Sequence, residues 1–230
     1  MKLFYQTHSP YARKVLVLAH EAGLADRLEV VHHETSPTQR NEAVFRVNPL
    51  GKVPVLQLDD GMILFDSTVI CEYLDGLHDR PKLIPSEPRA RFASLRLQAL
   101  AQGLCDAGIA VRHETHRRPK PLRYPALRDG QIAKLVAGYD FVEQDAIVTG
   151  PGSLCIGQIA LATALSWLEF RGLPAFVPGR PASPPGTAAS SNVRRCWRPR
   201  SPARPSTDPG SSSWDVTASV RFQGDVTHRR

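Results

Sequence analysis

Three prolines within ten residues, Pro81, Pro85 and Pro88 in the stretch 79–88, split the chain into two halves with different hydrophobic patterns. Such a stretch lacks backbone donors and resists continuing a helix or a sheet, so it reads as a linker. Before it, apolar runs of strand length alternate with runs of helix length. They are Leu3-Phe4-Tyr5, a helical run through 15–22 closed by Gly23, a strand at 28–32, a short helix at 39–47, strands at 53–58 and 62–65, and a helix at 68–77. Asp59-Asp60-Gly61 between the last two strands is a hairpin turn signal. Strand, helix, strand, helix, hairpin, helix is the order of an α/β unit with a mixed sheet. Beyond the linker the pattern is helical throughout, at 89–118, 129–145 and the very apolar 156–170. The sequence therefore predicts an α/β domain at 1–78, a linker at 79–88 and an all-α domain at 89–182, with the 156–170 helix in its core.

A length of 230 residues accommodates two such domains. Cys71, Cys105, Cys155 and Cys196 lie far apart with no Cys-x-x-Cys pair, which argues against a zinc cluster or a dithiol redox motif and for reduced thiols in the cytoplasm. Met1-Lys2 leads straight into the first strand without a signal-type run. No apolar stretch approaches the roughly 18 residues of a membrane span, so the expectation is a soluble, unexported protein with no membrane partner. The net charge of +7 suggests nucleic acid until its distribution is read. Residues 183–230 hold 8 Arg against 3 Asp, whereas residues 1–182 hold 21 Lys+Arg against 19 Asp+Glu. A body this close to neutrality speaks against a nucleic-acid partner.

Thr7-His8-Ser9-Pro10-Tyr11 joins the first strand to the first helix. Ser9 there has two readings: a helix cap with Pro10 at the first helical position, or a hydroxyl at a helix N-terminus that favours an anion, including a thiolate brought by a ligand. Asp66-Ser67 likewise caps the 68–77 helix or receives a ligand. His113-Glu114-Thr115-His116 resembles a metal site only superficially, since an i, i+3 histidine pair on a basic helix reads as a solvated face.

Ser-Pro-Tyr-x-Arg-Lys-Val after the first strand, Asn-Pro-x-Gly-Lys-Val-Pro-Val-Leu before the hairpin and Asp-Ser-x-x-Ile-x-x-Tyr-Leu after it stand in one order within about 80 residues. In motif and spacing the chain resembles the cytosolic glutathione S-transferases, particularly the bacterial serine-type members, over about residues 1–182. The resemblance implies a thioredoxin-like α/β N-terminal domain followed by an all-α helical domain, glutathione as co-substrate, no metal, and transfer of the thiol to a small-molecule electrophile. It implies a cis proline at Pro54, exposing the Val53 backbone to pair with the cysteinyl unit of glutathione. Lys52 would face the glycyl carboxylate, Asp66 and Ser67 would hold the γ-glutamyl end, and Ser9 would donate to the sulfur as it ionises, with Thr7 and His8 as alternatives within one turn. Tyr11, Arg112, His113 and His116 are nominated for the electrophile site. Detoxification by a cytoplasmic homodimer is the usual setting of such proteins.

Two departures qualify that reading. The core helix of similar proteins opens with Ser or Thr and, three residues on, Asp; here Cys155 and Gln158 stand there, a poorer cap by about 1 kcal/mol. Residues 183–230 contain no Leu or Ile and are crowded with Ser, Pro and Arg, a composition that reads as disordered. Moving the reading frame by one base near codon 182 permits Leu-Ala-Ala-Trp-Tyr and, further on, Phe-Glu-Gln-Arg-Pro-Ser-Met-Leu-Ala-Thr-Pro, an ending like those of the family. A frameshifted tail is therefore expected, which leaves the helical domain incomplete and makes homodimerisation, expected of the intact parent, doubtful for this chain. The alternatives to an active transferase are a transferase-like binding protein and an inactive product.

Overall fold

The computed structural model describes residues 1–145 and 153–176. Four strands, β1 (Lys2–Tyr5), β2 (Glu29–His32), β3 (Val55–Gln57) and β4 (Ile63–Leu64), form one sheet in the order β2-β1-β3-β4. β1 and β2 run parallel, joined by helix α1 (Pro10–Glu21), while β3 and β4 are antiparallel to their neighbours. Phe4 pairs with Val31 on one side and Val55 on the other, and Leu56 with Leu64.

Alternation along β1 sends Leu3 and Phe4 to opposite faces. Leu3 packs with Leu56, with Val15, Leu18 and Ala19 of α1, and with Ile70 and Leu74 of helix α3 (Ser67–Gly76), all buried. Phe4 shares the smaller opposite cluster with Val53, Val55 and Val44, the last from helix α2 (Glu42–Val47).

The helical half consists of α4 (Pro88–Arg112), a π-helical turn at His113–Arg117, α5 (Pro125–Gln144) and α6 (Ile156–Phe170). Ile156 and Ile159 at the start of α6 belong to the core of the α/β half, whereas Ala160, Ala164, Trp167 and Leu168 belong to a second core with Leu97, Leu104, Leu135 and Tyr139. One helix therefore closes both cores. A side chain at Gly157 would bring its Cβ to 2.6 Å from the Ser94 carbonyl oxygen, so glycine is what lets α6 lie directly on α4. Buried Asp75 accepts from the backbone amides of Leu83 at 2.8 Å and Ile84 at 3.1 Å, and the Leu83 carbonyl accepts from Ile156 N–H at 2.7 Å. Those bonds fasten the segment 79–87 to α3 and to α6.

Several boundaries differ from expectation, each for a local reason. α2 starts at Glu42 rather than 39, because the Asn41 side chain accepts from Ala43 N–H and Val44 N–H and sets the cap there. The strand predicted at 53–58 shortens to Val55–Gln57, and that at 62–65 to two residues. α4 begins at Pro88, the last residue of the predicted linker, and ends at Arg112 instead of 118. Glu114, which the sequence placed on a solvated face, is 3% exposed; it accepts from Arg118 Nε and Tyr124 N–H and so tightens the turn. α5 starts four residues early, at Pro125, where a missing N–H costs nothing. The bounds of α6 match the expected 156–170. Gln158 Oε1 accepts from Cys155 N–H at 3.0 Å, supplying half of the cap that Cys155 was expected to weaken. The tail 183–230 and the end of the predicted helical domain lie outside the described residues.

Candidate active site

Sheet register brings three chain segments to one end of the sheet. β1 runs on past Tyr5 to Ser9, the chain enters β3 through Val53 and Pro54, and β4 leaves through Phe65 into Asp66 and Ser67. The Val53–Pro54 peptide is cis, as the family resemblance implies, and so is Phe65–Asp66.

At the first segment Ser9 is the N-cap of α1: its Oγ accepts from Ala12 N–H at 3.2 Å, with Pro10 in the first turn. That bond uses an oxygen lone pair and leaves the hydroxyl proton free to donate. Thr7, His8, Ser9, Pro10 and Arg13 line a small groove closed on the other side by Trp167 and Phe170 of α6. Trp167 Nε1 donates to the His8 carbonyl at 2.9 Å, and the His8 ring stacks on Phe170 at 5.8 Å between centroids. Burial, then the charge of Arg171, lowers the pKa of His8, so its imidazole is neutral at neutral pH and cannot serve as the cation for a thiolate.

The second segment is fixed from below. Gly51 has φ of 61°, and a Cβ there would lie 2.2 Å from the Phe45 ring. Asn48, buried, donates from Nδ2 to the Lys52 carbonyl at 2.9 Å and accepts from Leu50 N–H at 3.0 Å, while Thr35 Oγ1 donates to the Gly51 carbonyl. Lys52 itself extends into solvent.

In the third segment Asp66, not Ser67, is the N-cap: Asp66 Oδ1 accepts from Thr68 N–H at 2.8 Å. Ser67 is the first residue of α3, 1% exposed, and its buried Oγ has no hydrogen-bond partner. Asp66 is also held from the helical half, since Gln102 of α4 donates from Nε2 to Asp66 Oδ2 at 3.2 Å. The other amide atom, Gln102 Oε1, accepts from Thr68 Oγ1 and from Lys14 Nζ at 3.4 Å. Lys14 is 3% exposed, and burial lowers its pKa.

Of the residues nominated for the electrophile site, Tyr11 donates its hydroxyl to Asp106 Oδ1, and burial followed by that bond pushes its pKa far up. Its hydroxyl is thus committed elsewhere, and the ring packs against the helical core. Arg112 lies close enough for its charge to act on His8 and Arg171. His116 is exposed, its Nδ1 paired with Thr115 Oγ1 at 2.7 Å, and His113 senses only charges of its own turn and of its neighbours Arg112 and Arg118. Neither histidine is brought to Ser9 by an observed contact. Among the described residues no group of three or more His, Cys, Asp or Glu is arranged to hold a metal. Cys71 and Cys105 are free and buried, and burial raises both thiols, Cys71 to about 12, so neither competes as a nucleophile. Cys155 is also free and buried.

Sequence reasoning passed over Asn48, Gln102, Trp167 and Arg171. Only Asn48 carried a local signal, the Asn-Pro-x-Gly turn; Gln102 and Trp167 reach partners 34 to 159 positions away, and Arg171 matters through the groove that Trp167 and Phe170 close.

The family model for the glutathione S-transferase N-terminal domain matches residues 8–77. A curated relative, the uncharacterized GST-like protein YibF of Escherichia coli K12, is 32% identical over 175 residues, 74% of this chain and 83% of that protein. Among solved structures, a glutathione transferase family member from Pseudomonas fluorescens Pf-5 with bound glutathione is 40% identical with a TM-score of 0.71, covering 74% of this chain and 83% of that one. A glutathione S-transferase from Methylobacillus flagellatus KT, also with glutathione bound, is 38% identical with a TM-score of 0.65, covering 74% and 84%. With a thioredoxin-like sheet domain, a helical region packed on it and relatives of this extent, the chain belongs to the glutathione S-transferase family.

Proposed function

We propose that the chain is a glutathione transferase that binds glutathione across the sheet end and activates its thiol at Ser9 for attack on a small electrophile. The observation that carries the reading is the buried, partnerless hydroxyl of Ser67. An unmet polar atom of this kind costs about 1–3 kcal/mol, and a ligand carboxylate at the α3 N-terminus meets it. Asp66 then takes the γ-glutamyl ammonium, the Val53 backbone pairs with the cysteinyl unit, and exposed Lys52 faces the glycyl carboxylate as a point charge. The cysteinyl sulfur comes to the N-terminus of α1, where the free proton of Ser9 and the helix dipole stabilise the thiolate.

The rate then comes from a larger thiolate fraction and from holding the electrophile beside it. Tyr11 contributes a wall of the electrophile site rather than an acid, and Arg112 a nearby charge. Detoxification in the cytoplasm belongs to the same reading, with the homodimer assigned to the intact parent and not to this chain; sedimentation of the purified chain tests the assembly. The relatives with bound glutathione support the binding half of the proposal.

Retention on immobilised glutathione, together with turnover of an aryl halide, is the direct test. Retention and turnover together are expected. Retention without turnover points to a binding protein, and loss of both to an inactive chain.

A further inference from the structure

Beside the groove at Ser9 lies Arg171, and two further arginines from other elements of the helical half, Arg112 and Arg117, act on it by charge; none of the three finds a carboxylate to pair with. Arg171 follows α6, Arg112 ends α4, and Arg117 closes the π-helical turn; among the described residues none of the three makes a salt bridge. The Arg171 guanidinium lies 5.0 Å from the Phe170 ring centroid and 5.9 Å from that of Trp167, the two rings that close the groove. Its Nε is buried without a hydrogen-bond partner, and so is Nδ1 of His8, the ring stacked on Phe170.

Two unmet nitrogens therefore sit around the same aromatic wall. Burial above all, and then the charges of Arg112 and Arg117, depress the Arg171 pKa to about 10. The opposing carboxylates are accounted for. Glu34 acts on the cluster from a distance while bonded to Gln6 Nε2 and His32 Nε2, and Glu114 is committed to Arg118 and the Tyr124 amide. Set against that one distant carboxylate, the three guanidiniums leave positive charge in excess. Uncompensated cations beside an apolar wall call for an anion with an apolar body.

We propose that this protein takes electrophiles that carry a carboxylate, with their apolar body against Phe170 and His8 and their carboxylate received by Arg171 and Arg112. The inference rests on the glutathione-binding reading, since it places the acid on the sulfur side of glutathione beside Ser9. It narrows that reading from any electrophile to an acidic one, and it assigns the selectivity to residues of the helical half.

The test compares the full chain's affinity for S-(4-carboxybenzyl)glutathione, for its neutral counterpart S-(4-carbamoylbenzyl)glutathione, and for glutathione itself, by calorimetry. The acid is expected to bind about tenfold more tightly than the amide, as for a charge-assisted contact. Arg171→Gln, which keeps most of the stem over the rings, and separately Arg112→Gln, should each reduce that ratio to within about twofold while leaving the affinity for plain glutathione unchanged. Arg171→Lys should retain part of the preference, because charge remains while the fork is lost. Equal binding of acid and amide by a wild-type chain that does bind glutathione would overturn this inference alone. Failure to bind glutathione at all would overturn the function on which it rests.

Discussion

Two serines open two helices at the same end of the sheet, and the structure spends them differently. Ser9 is an N-cap whose oxygen already accepts from Ala12 N–H, while Ser67 sits one position inside its helix, behind the capping Asp66, with its hydroxyl buried and unmet. The first contributes to folding and keeps a proton to give. The second makes no hydrogen bond, and the proposed ligand carboxylate is what would meet it. A hydroxyl at a helix start is thus two different devices, separated by whether the cap bond is made. The mutational consequences should differ in sign as well as size.

The largest effect is expected at Ser9. Ser9→Ala removes the proposed donor to the sulfur, and loss of one such donor lowers kcat by about 10²-fold, with little change in glutathione affinity. The same change removes a helix cap and should lower stability by about 1 kcal/mol, read from a denaturant midpoint. A normal kcat in Ser9→Ala would transfer the role to Thr7 or His8.

Asp66→Ala should come next, with glutathione binding weakened by about tenfold or more, because it removes both the proposed ammonium contact and the α3 cap. Gln102→Ala sharpens the point. Its loss leaves the cap bond from Thr68 N–H to Asp66 intact while releasing Asp66 Oδ2, together with Thr68 Oγ1 and the buried Lys14 Nζ, so a several-fold rise in KM with unchanged kcat is expected. A fall in kcat alone would contradict the assignment of the γ-glutamyl end.

Ser67→Ala sets the two serines directly against each other. Removing an unsatisfied buried hydroxyl should raise the melting temperature of the unliganded protein by about 2–4 °C while weakening glutathione binding by roughly fivefold. Opposite signs in stability and binding distinguish this hydroxyl from Ser9, whose loss should hurt stability and catalysis together. A Ser67→Ala protein that melts earlier would mean the hydroxyl is already satisfied without glutathione.

The smallest effect concerns His8. Its pKa is lowered in the folded state from 6.5 by burial and by Arg171 and Arg112, partly opposed by Glu34. The folded protein thus binds a proton there less readily than the unfolded chain. The associated stability is present above about pH 6.5 and is lost as the pH falls toward the depressed value. Thermal unfolding between pH 7 and 5 should show a decline that His8→Asn reduces; equal slopes would remove His8 from the pH response.

The contrast also marks what could be read from residues alone. Period and punctuation predicted the order of the α/β half, the Ser9-Pro10 start of α1 and both ends of α6, because apolar spacing, caps and prolines are local. The three segments of the proposed site carried local motifs and were legible for the same reason. The spent and unspent states of the two serines were not, since Asp66-Ser67 gives no sign of which residue caps until the backbone is set. Nor was the clamp of Gln102 on Asp66, 36 residues away, or the gathering of Arg112, Arg117 and Arg171, because helix packing rather than sequence spacing brings them together. The early end of α4 has the same origin: buried Glu114 is drawn inward by Arg118 and by the Tyr124 amide ten residues on.

Titration of the thiolate of bound glutathione by its ultraviolet absorbance tests the central claim most directly, in the wild type, Ser9→Ala and Ser67→Ala. In the wild type the apparent pKa should fall by roughly 1–2 units from a free thiol value near 8.5. Ser9→Ala should return it toward that value, and Ser67→Ala should leave it depressed once glutathione is saturating. A depressed pKa that persists in Ser9→Ala, or that is lost in Ser67→Ala, would contradict the division of labour between the two hydroxyls.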